Sequence, residues 1–215
     1  MPVAPELTPG FSCNDLKPSP RVMNKLLLVI ILAIFVGCGQ PAYKNPHIVI
    51  YTALGEIEVE LFPEKAPLTV AAFLSYVDSG FYTNSSFYRV VMLEGLSTAG
   101  NVGLVQGGIW QTNDKQHPNV PGIVHESTKQ TGLSHTNGTI SLARTTPGTA
   151  NTEFFICIGD QTQFDYGSGG AGDSLGFAAF GTVFKGMTVV RQIQQQRQHG
   201  QSFDQKIIIN KIVKL

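Results

Sequence analysis

From His47 to its last residue, the chain consists mainly of short apolar runs, and this pattern limits the possible folds more than any other feature. In residues 55–61, three glutamates alternate with isoleucine, valine and leucine, as in a strand with one buried face. The predicted strands are residues 47–52, 55–63, 86–91, 103–110, 138–144, 152–159, 177–184 and 206–215. Helical spacing occurs in residues 66–82 and 186–198. Eight strands and two helices predict a mainly β fold, an eight-stranded closed antiparallel barrel capped by two α-helices.

Arg89 is unusual because it lies in residues 86–91, which otherwise have the apolar character of a buried strand. Regular alternation places Arg89 on the same face as Phe87 and Val91. A guanidinium keeps its charge in proteins and is rarely buried without a partner. The arginine is therefore either part of a structural salt bridge or a functional group.

A targeting segment precedes the strands. Lys25 is followed by apolar residues 26–36, a run too short for a transmembrane helix but typical of a signal peptide. The run ends in Phe-Val-Gly-Cys, which resembles the lipobox of bacterial lipoproteins, so we expect lipidation of Cys38; plain secretory cleavage nearby is the alternative. The predicted organisation is an over-extended start or disordered extension at 1–22, a signal peptide at 23–37, a lipidated tether at 38–46 and a folded domain at 47–215.

Composition excludes several functions. The formal net charge is zero and only 14% of residues are charged, so the chain lacks the basic surface that nucleic-acid binding requires. The five histidines have no metal-ligand spacing, and we expect no metal and no cofactor. Cys157 would be the single unmodified cysteine of the mature protein, so we expect no disulfide.

Four motifs carry a resemblance to a known family. They are FYRVV at 87–91, LVQGG at 104–108, GTISLARTTPGTANTEFFICIGD at 138–160 and FAAFGTVFKGMTVVRQI at 177–193. In this order they resemble successive motifs of the cyclophilins, the peptidyl-prolyl cis-trans isomerases, over about residues 47–215. The resemblance implies an eight-stranded barrel with two capping helices, which agrees with the number of predicted strands.

The resemblance also implies that Arg89 is the catalytic arginine and that Gln106 positions it. Rotation about an X–Pro bond costs about 18–20 kcal/mol because amide resonance must be broken. A guanidinium that donates to the proline nitrogen or to the neighbouring carbonyl would stabilise the twisted amide. The alternatives are a structural salt bridge for Arg89 and an ordinary strand position for Gln106.

A substrate pocket is implied as well, with Phe155 as its floor. The other residues that match pocket or strand-edge positions of the family are Leu104, Ala143, Arg144, Thr145, Glu153, Phe164 and Phe177. Core packing is the alternative for the apolar members. The chain departs from the family by having Tyr88 in place of a histidine, Glu153 in place of a glutamine and Gly103 in place of a pocket phenylalanine.

These departures lead to two expectations. Glu153 shares a predicted strand face with Phe155, so it would either hold the Arg89 guanidinium or compete with substrate for its hydrogen bonds. Because Gly103 replaces the pocket phenylalanine, that wall of the pocket would be absent, or it would be formed by one of three nearby apolar residues, Leu93, Leu96 or Val102.

The sequence thus predicts a monomeric, lipid-anchored isomerase of the bacterial cell envelope, periplasmic or extracytoplasmic. Its substrates would be proline-containing segments of unfolded or partly folded exported proteins, whose uncatalysed isomerisation is slow enough to limit folding. The alternative is a non-catalytic module that holds proline segments on the same barrel, as a holdase or scaffold. The altered loop at 92–103 motivates this alternative, while the joint presence of Arg89, Gln106 and Phe155 favours the enzyme.

Overall fold

The strands of the chain form one antiparallel sheet in a computed structural model that describes residues 43–93, 102–112 and 120–215. The predicted signal peptide, Cys38 and Leu96 lie outside the described residues. The elements are β1 (His47–Thr52), β2 (Gly55–Leu61), α1 (Pro67–Asp78), β3 (Ser85–Leu93), β4 (Val102–Gly108), α2 (Thr128–Thr131), β5 (Thr139–Leu142), β6 (Phe154–Ile158), β7 (Ala178–Lys185), α3 (Met187–Gln194), β8 (Gln198–His199) and β9 (Ser202–Lys214). A single 3-10 turn, Thr162–Phe164, follows β6.

The sheet closes on itself. Its strands are hydrogen-bonded in the order β1-β2-β7-β5-β6-β4-β3-β9, and β9 also pairs with β1, where Ile50 lies opposite Ile212. These eight strands form the predicted closed barrel, and the two-residue β8 only extends the beginning of β9. The mainly β fold is confirmed.

The helices differ from the prediction by one short element. The two predicted helices are present as α1 and α3, and both bury apolar side chains in the barrel core, among them Phe73 and Ile193. The additional helix, α2, has four residues, too few to produce a helical period in the sequence. No helix in the described ranges is both long enough and apolar enough to cross a membrane.

A β-bulge at Tyr88 changes the direction of the Arg89 side chain. Phe87 pairs with Gly107 and Arg89 pairs with Gln106, so Tyr88 is an extra residue in β3. Phe87 is fully buried in the barrel core, whereas Arg89 is half-buried at a surface cavity. The prediction that the two share a strand face was therefore wrong, because a bulge reverses the alternation of side chains beyond it.

The first turn of α1 is capped by a distant carboxylate. Its N-cap residue, Ala66, has no side chain that can accept a hydrogen bond. Glu126 takes this role: its Oε1 accepts from the Leu68 N–H at 3.2 Å, and its Oε2 accepts from the Thr69 N–H at 2.8 Å and the Thr69 hydroxyl at 2.7 Å. A carboxylate at this position satisfies free N–H groups and lies at the positive end of the helix dipole.

We therefore expect Glu126→Ala to lower the free energy of unfolding by about 1 kcal/mol, as loss of an N-cap does. Urea denaturation measures the change. Glu64→Ala is the matched control, because Glu64 is exposed just before the helix and should leave stability nearly unchanged. Equal stability of the two variants would contradict the capping role of Glu126.

Candidate active site

The predicted site residues of the barrel domain lie around one cavity of about 730 Å³ on the outside of the barrel. They come from β3, β4 and β6 and from the loops beside them. All ten line the cavity: Arg89, Leu104, Gln106, Ala143, Arg144, Thr145, Glu153, Phe155, Phe164 and Phe177. The residues selected from the sequence thus lie together, although the contacts among them differ from those expected.

One face of the cavity is aromatic. Phe155, on β6, is 2% exposed, and its ring meets the edges of Phe164 at 5.7 Å and Phe177 at 5.2 Å. Phe164 and Phe177 are nearly perpendicular to each other at 5.5 Å. With Leu104, these rings form an apolar cluster separate from the barrel core. A concave aromatic surface of this kind suits a small apolar ring.

The position of Phe155 is supported from behind by His135, which the sequence analysis did not select. The two rings are stacked, with centroids 5.9 Å apart. His135 Nδ1 is 2.6 Å from Asp165 Oδ1, and Nε2 is 3.0 Å from Ser141 Oγ. Burial lowers the pKa of His135, while Asp165 acts in the opposite direction. The buried His135 imidazole, held by these hydrogen bonds, therefore supports the Phe155 ring at the floor of the cavity.

Arg89 is held by two glutamine side chains. Its Nη1 donates to Gln106 Oε1 at 2.9 Å, while Nε and Nη2 both donate to Gln201 Oε1, at 2.9 and 2.6 Å. These bonds use three of the five N–H groups of a guanidinium and leave one on each Nη. In the described part of the chain no carboxylate forms a salt bridge with Arg89, so the structural salt bridge considered above is not formed there.

Glu153 forms neither a hydrogen bond nor a salt bridge with Arg89, contrary to both expectations from the sequence. Its Oε2 accepts from the Tyr88 hydroxyl at 2.7 Å, and its Oε1 accepts from the backbone N–H groups of Ile109 and Trp110, each at 2.9 Å. The physical reason is the bulge, which places the Tyr88 phenol beside the carboxylate. Burial raises the pKa of Glu153, and these hydrogen bonds oppose the rise.

Arg144 has a structural role in addition to its place at the cavity. Its side chain is 1% exposed and forms a bidentate pair with Asp173, at 2.9 and 2.8 Å. The pair holds the pKa of Asp173 at about 2. Arg144 thereby fixes the glycine-rich loop at 165–176, from which Gly170 and Ala171 line the cavity.

At the neighbouring position, the Ala143 N–H already donates to the Glu153 backbone carbonyl at 2.8 Å, so this part of the strand edge is occupied.

The wall expected to be missing at Gly103 is partly supplied by Leu93, which lines the cavity. Val102, the second candidate, packs against Gly159 instead, and Leu96 lies outside the described residues. Gly103 itself has φ +146°, and a Cβ there would overlap the Val91 carbonyl oxygen. A side chain at position 103 is therefore excluded by the backbone of the neighbouring strand.

Several functional neighbours were missed by the sequence analysis. Tyr88 was noted only as a departure from the family, and Gln201 carried no signal because it is an exposed glutamine 112 residues from Arg89. Trp110 is 47% exposed and meets the Tyr88 ring edge-on at 5.7 Å. The further residues that line the cavity are Val91, Leu93, Thr149, Asn151, Gln163, Gly170 and Ala171.

Sequence comparison identifies the family. The sequence model of the "Cyclophilin type peptidyl-prolyl cis-trans isomerase/CLD" family matches residues 47–214. The chain belongs to the cyclophilins. The resemblance seen in the four motifs is thereby confirmed, and with it the enzyme class, peptidyl-prolyl cis-trans isomerase.

Bacterial cyclophilins are similar over most of the chain. Peptidyl-prolyl cis-trans isomerase A of Dickeya dadantii (strain 3937) is 35% identical over 181 residues, which cover 82% of this chain and 85% of that protein. Peptidyl-prolyl cis-trans isomerase B of Escherichia coli (strain K12) is 35% identical over 145 residues, covering 67% of this chain and 81% of its own.

Solved structures support the fold. The crystal structure of a cyclophilin from Cryptosporidium parvum gives a TM-score of 0.60 at 20% identity and covers 79% of this chain and 97% of that one. A Cryptosporidium parvum cyclophilin structure obtained in the presence of the dipeptide Ala-Pro gives a TM-score of 0.57 at 21% identity, covering 78% and 97%. The shared architecture is the closed barrel described above.

For this cyclophilin, we expect Gln201→Ala to lower kcat/KM by about threefold to tenfold, because Arg89 loses one of its two supports. A prolyl-peptide isomerisation assay measures the change. Thermal stability should remain close to that of the wild type, since Gln201 is exposed. Gln205→Ala is the matched control on β9, because Gln205 is also exposed. Activity unchanged by Gln201→Ala would show that Gln106 alone holds the arginine.

Proposed function

We propose that this cyclophilin accelerates X–Pro isomerisation through Arg89, which donates hydrogen bonds to the twisted amide while the aromatic pocket holds the proline ring. One observation carries the proposal. Arg89 lies opposite Gln106, and Gln106 lies opposite Phe155, so the three form a row across β3, β4 and β6. Neighbouring strands are about 4.8 Å apart, so the backbones of Arg89 and Phe155 are about 10 Å apart, roughly the length of three extended residues of a bound peptide.

The chemistry required of the site is electrostatic. As the X–Pro bond rotates, the proline nitrogen loses its resonance with the carbonyl and regains a lone pair. The N–H groups of Arg89 that have no acceptor among the described residues can donate to that nitrogen or to the adjacent carbonyl oxygen. Because Gln106 and Gln201 already fix the guanidinium, little reorganisation is needed when the amide twists. No covalent bond is formed or broken in this step.

Arg89→Ala should lower kcat by about tenfold to a hundredfold, a loss of about 1.4–2.7 kcal/mol of transition-state stabilisation. Peptide affinity should fall much less, because Phe155 and its neighbours still hold the ground state. Arg89→Lys should restore only part of the rate, because an ammonium lacks the planar fork of donors. Isomerisation kinetics and peptide titration measure the two quantities separately. A folded Arg89→Ala protein with the wild-type rate would refute the proposed mechanism.

The alternative, a module that holds proline segments without turnover, is not favoured. The relatives that match most of the chain are named as isomerases, and the described cavity combines Arg89, Gln106 and the aromatic pocket. Turnover by the wild-type protein distinguishes the two functions directly.

We further propose that the protein is exported and anchored through Cys38, and that its substrates are proline-containing segments of exported proteins that are still folding. The apolar run at 26–36 followed by Phe-Val-Gly-Cys supports the proposal. Two or more acyl chains on one residue would give stable anchoring, whereas a single chain binds a membrane only marginally. The barrel would then follow a tether of a few residues.

Cys38→Ser should release the protein into the aqueous phase after detergent partitioning, or leave the precursor unprocessed. The measurement is the distribution of the full-length protein expressed in a bacterial host, with Cys157→Ser as the matched control, because Cys157 is a buried free cysteine. Unchanged partitioning of a correctly cleaved Cys38→Ser protein would refute lipidation.

A further inference from the structure

Four polar side chains beside the cavity form a continuous chain of hydrogen bonds. Arg89 Nη1 donates to Gln106 Oε1 at 2.9 Å, and Gln106 Nε2 donates to the Tyr88 hydroxyl oxygen at 2.8 Å. The Tyr88 hydroxyl in turn donates to Glu153 Oε2 at 2.7 Å. Gln106 and Tyr88 therefore each accept from the side of the arginine and donate towards the carboxylate.

The direction of the chain is determined by Glu153. An ionised carboxylate can only accept, and its Oε1 is already occupied by the N–H groups of Ile109 and Trp110. Oε2 therefore takes the single proton of the Tyr88 hydroxyl, and the phenol oxygen is left as an acceptor. Only the amide nitrogen of Gln106 can donate to that oxygen.

The orientation of Gln106 matters because the two ends of an amide have opposite hydrogen-bonding roles. With its nitrogen towards Tyr88, Gln106 presents its oxygen to Arg89. The reverse orientation would place the NH₂ group against the guanidinium, donor against donor, and Arg89 would lose this support. The carboxylate thus acts on the arginine through two intervening side chains and without touching it.

We propose that Glu153 and Tyr88 are positioning residues of this cyclophilin, a carboxylate–phenol pair that sets the orientation of the Gln106 amide and so places Arg89 for catalysis. The inference rests on the proposed catalytic role of Arg89. The packing supports it, because Gly108 leaves the space that the carboxylate occupies: a Cβ at Gly108 would overlap the Glu153 carboxyl group.

The pair should also make activity depend on pH. Burial raises the pKa of Glu153, and the titratable groups beside it are Tyr88, which donates to it, and the fully buried Tyr82. Once protonated, Glu153 can donate to the Tyr88 phenol oxygen. The Tyr88 hydroxyl then donates to Gln106, and the Gln106 side-chain amide must reverse so that its oxygen accepts. Activity should therefore be present above the pKa of Glu153 and fall as the pH drops through it, at a higher pH than for an ordinary glutamate.

The test is a double-mutant cycle of Glu153→Gln and Tyr88→Phe. In Glu153→Gln the new amide must accept from the two backbone N–H groups with its oxygen, so its NH₂ faces Tyr88 and the phenol has to donate to Gln106. We expect kcat to fall about tenfold while peptide affinity stays within about twofold of the wild type. Tyr88→Phe frees Gln106 to face Arg89 correctly, so the loss should be smaller, about threefold.

The kcat of the combined Glu153→Gln, Tyr88→Phe variant should be no lower than that of Tyr88→Phe alone. In addition, the kcat of Tyr88→Phe should not show the decrease at acid pH that the wild type shows. Thr152→Val is the matched control, since the Thr152 hydroxyl donates to the same carboxylate at 3.1 Å but has no link to Gln106. Its kcat at about pH 8 should equal that of the wild type within about twofold.

Two results would overturn the proposal. One is a Glu153→Gln loss that persists unchanged in the Tyr88→Phe background, which would mean that Glu153 acts on the substrate directly. The other is wild-type kcat in a folded Glu153→Gln protein. If Glu153→Gln does not fold, the acid limb in the wild type and its absence in Tyr88→Phe still test the pair. Failure of the proposed function gives a different result: the wild type does not isomerise the peptide, or Arg89→Ala keeps the wild-type rate.

Discussion

The extra residue at Tyr88 is the constraint on which the site depends. In a regular strand, Arg89 would point to the same side as Phe87, into a core that can neither solvate nor pair a guanidinium. The bulge keeps Phe87 inside the barrel and directs Arg89 to the outer cavity. It also brings the phenol of Tyr88 beside Glu153. A single local irregularity therefore separates the packing side of β3 from its functional side.

The supports of Arg89 are neutral acceptors, and this choice has an electrostatic consequence. A carboxylate at 2.9 Å would offset much of the positive charge and engage the donors in a bidentate pair, as Asp173 does with Arg144. Gln106 and Gln201 hold the group without adding negative charge. The nearest carboxylate in the hydrogen-bond chain, Glu153, is kept two side chains away. The guanidinium thus remains fixed in position yet available to a substrate.

The aromatic part of the cavity is stabilised by two buried polar side chains. His135 stacks behind Phe155, while Arg144 lies over the Phe177 ring and ties down the glycine-rich loop. Both polar groups are buried and satisfied by partners distant in sequence, Asp165 and Asp173. Their burial would be costly without those partners, so each holds its loop in one arrangement. These contacts hold the aromatic rings in one arrangement, as a preorganised site requires.

The sequence by itself determined the barrel and ten of the residues that line the cavity, because alternation in the strands and the order of the cyclophilin motifs are local patterns. Arg89, Gln106 and Phe155 could be selected in this way. Gln201 and the partner of Glu153 could not. Gln201 is an exposed glutamine that only the pairing of β3 with β9 brings to Arg89. The partner of Glu153 is Tyr88, and this contact depends on a bulge that alternation alone does not reveal. Hydrogen-bond partners and side-chain directions follow from strand pairing across the sheet, so only the tertiary structure decided them.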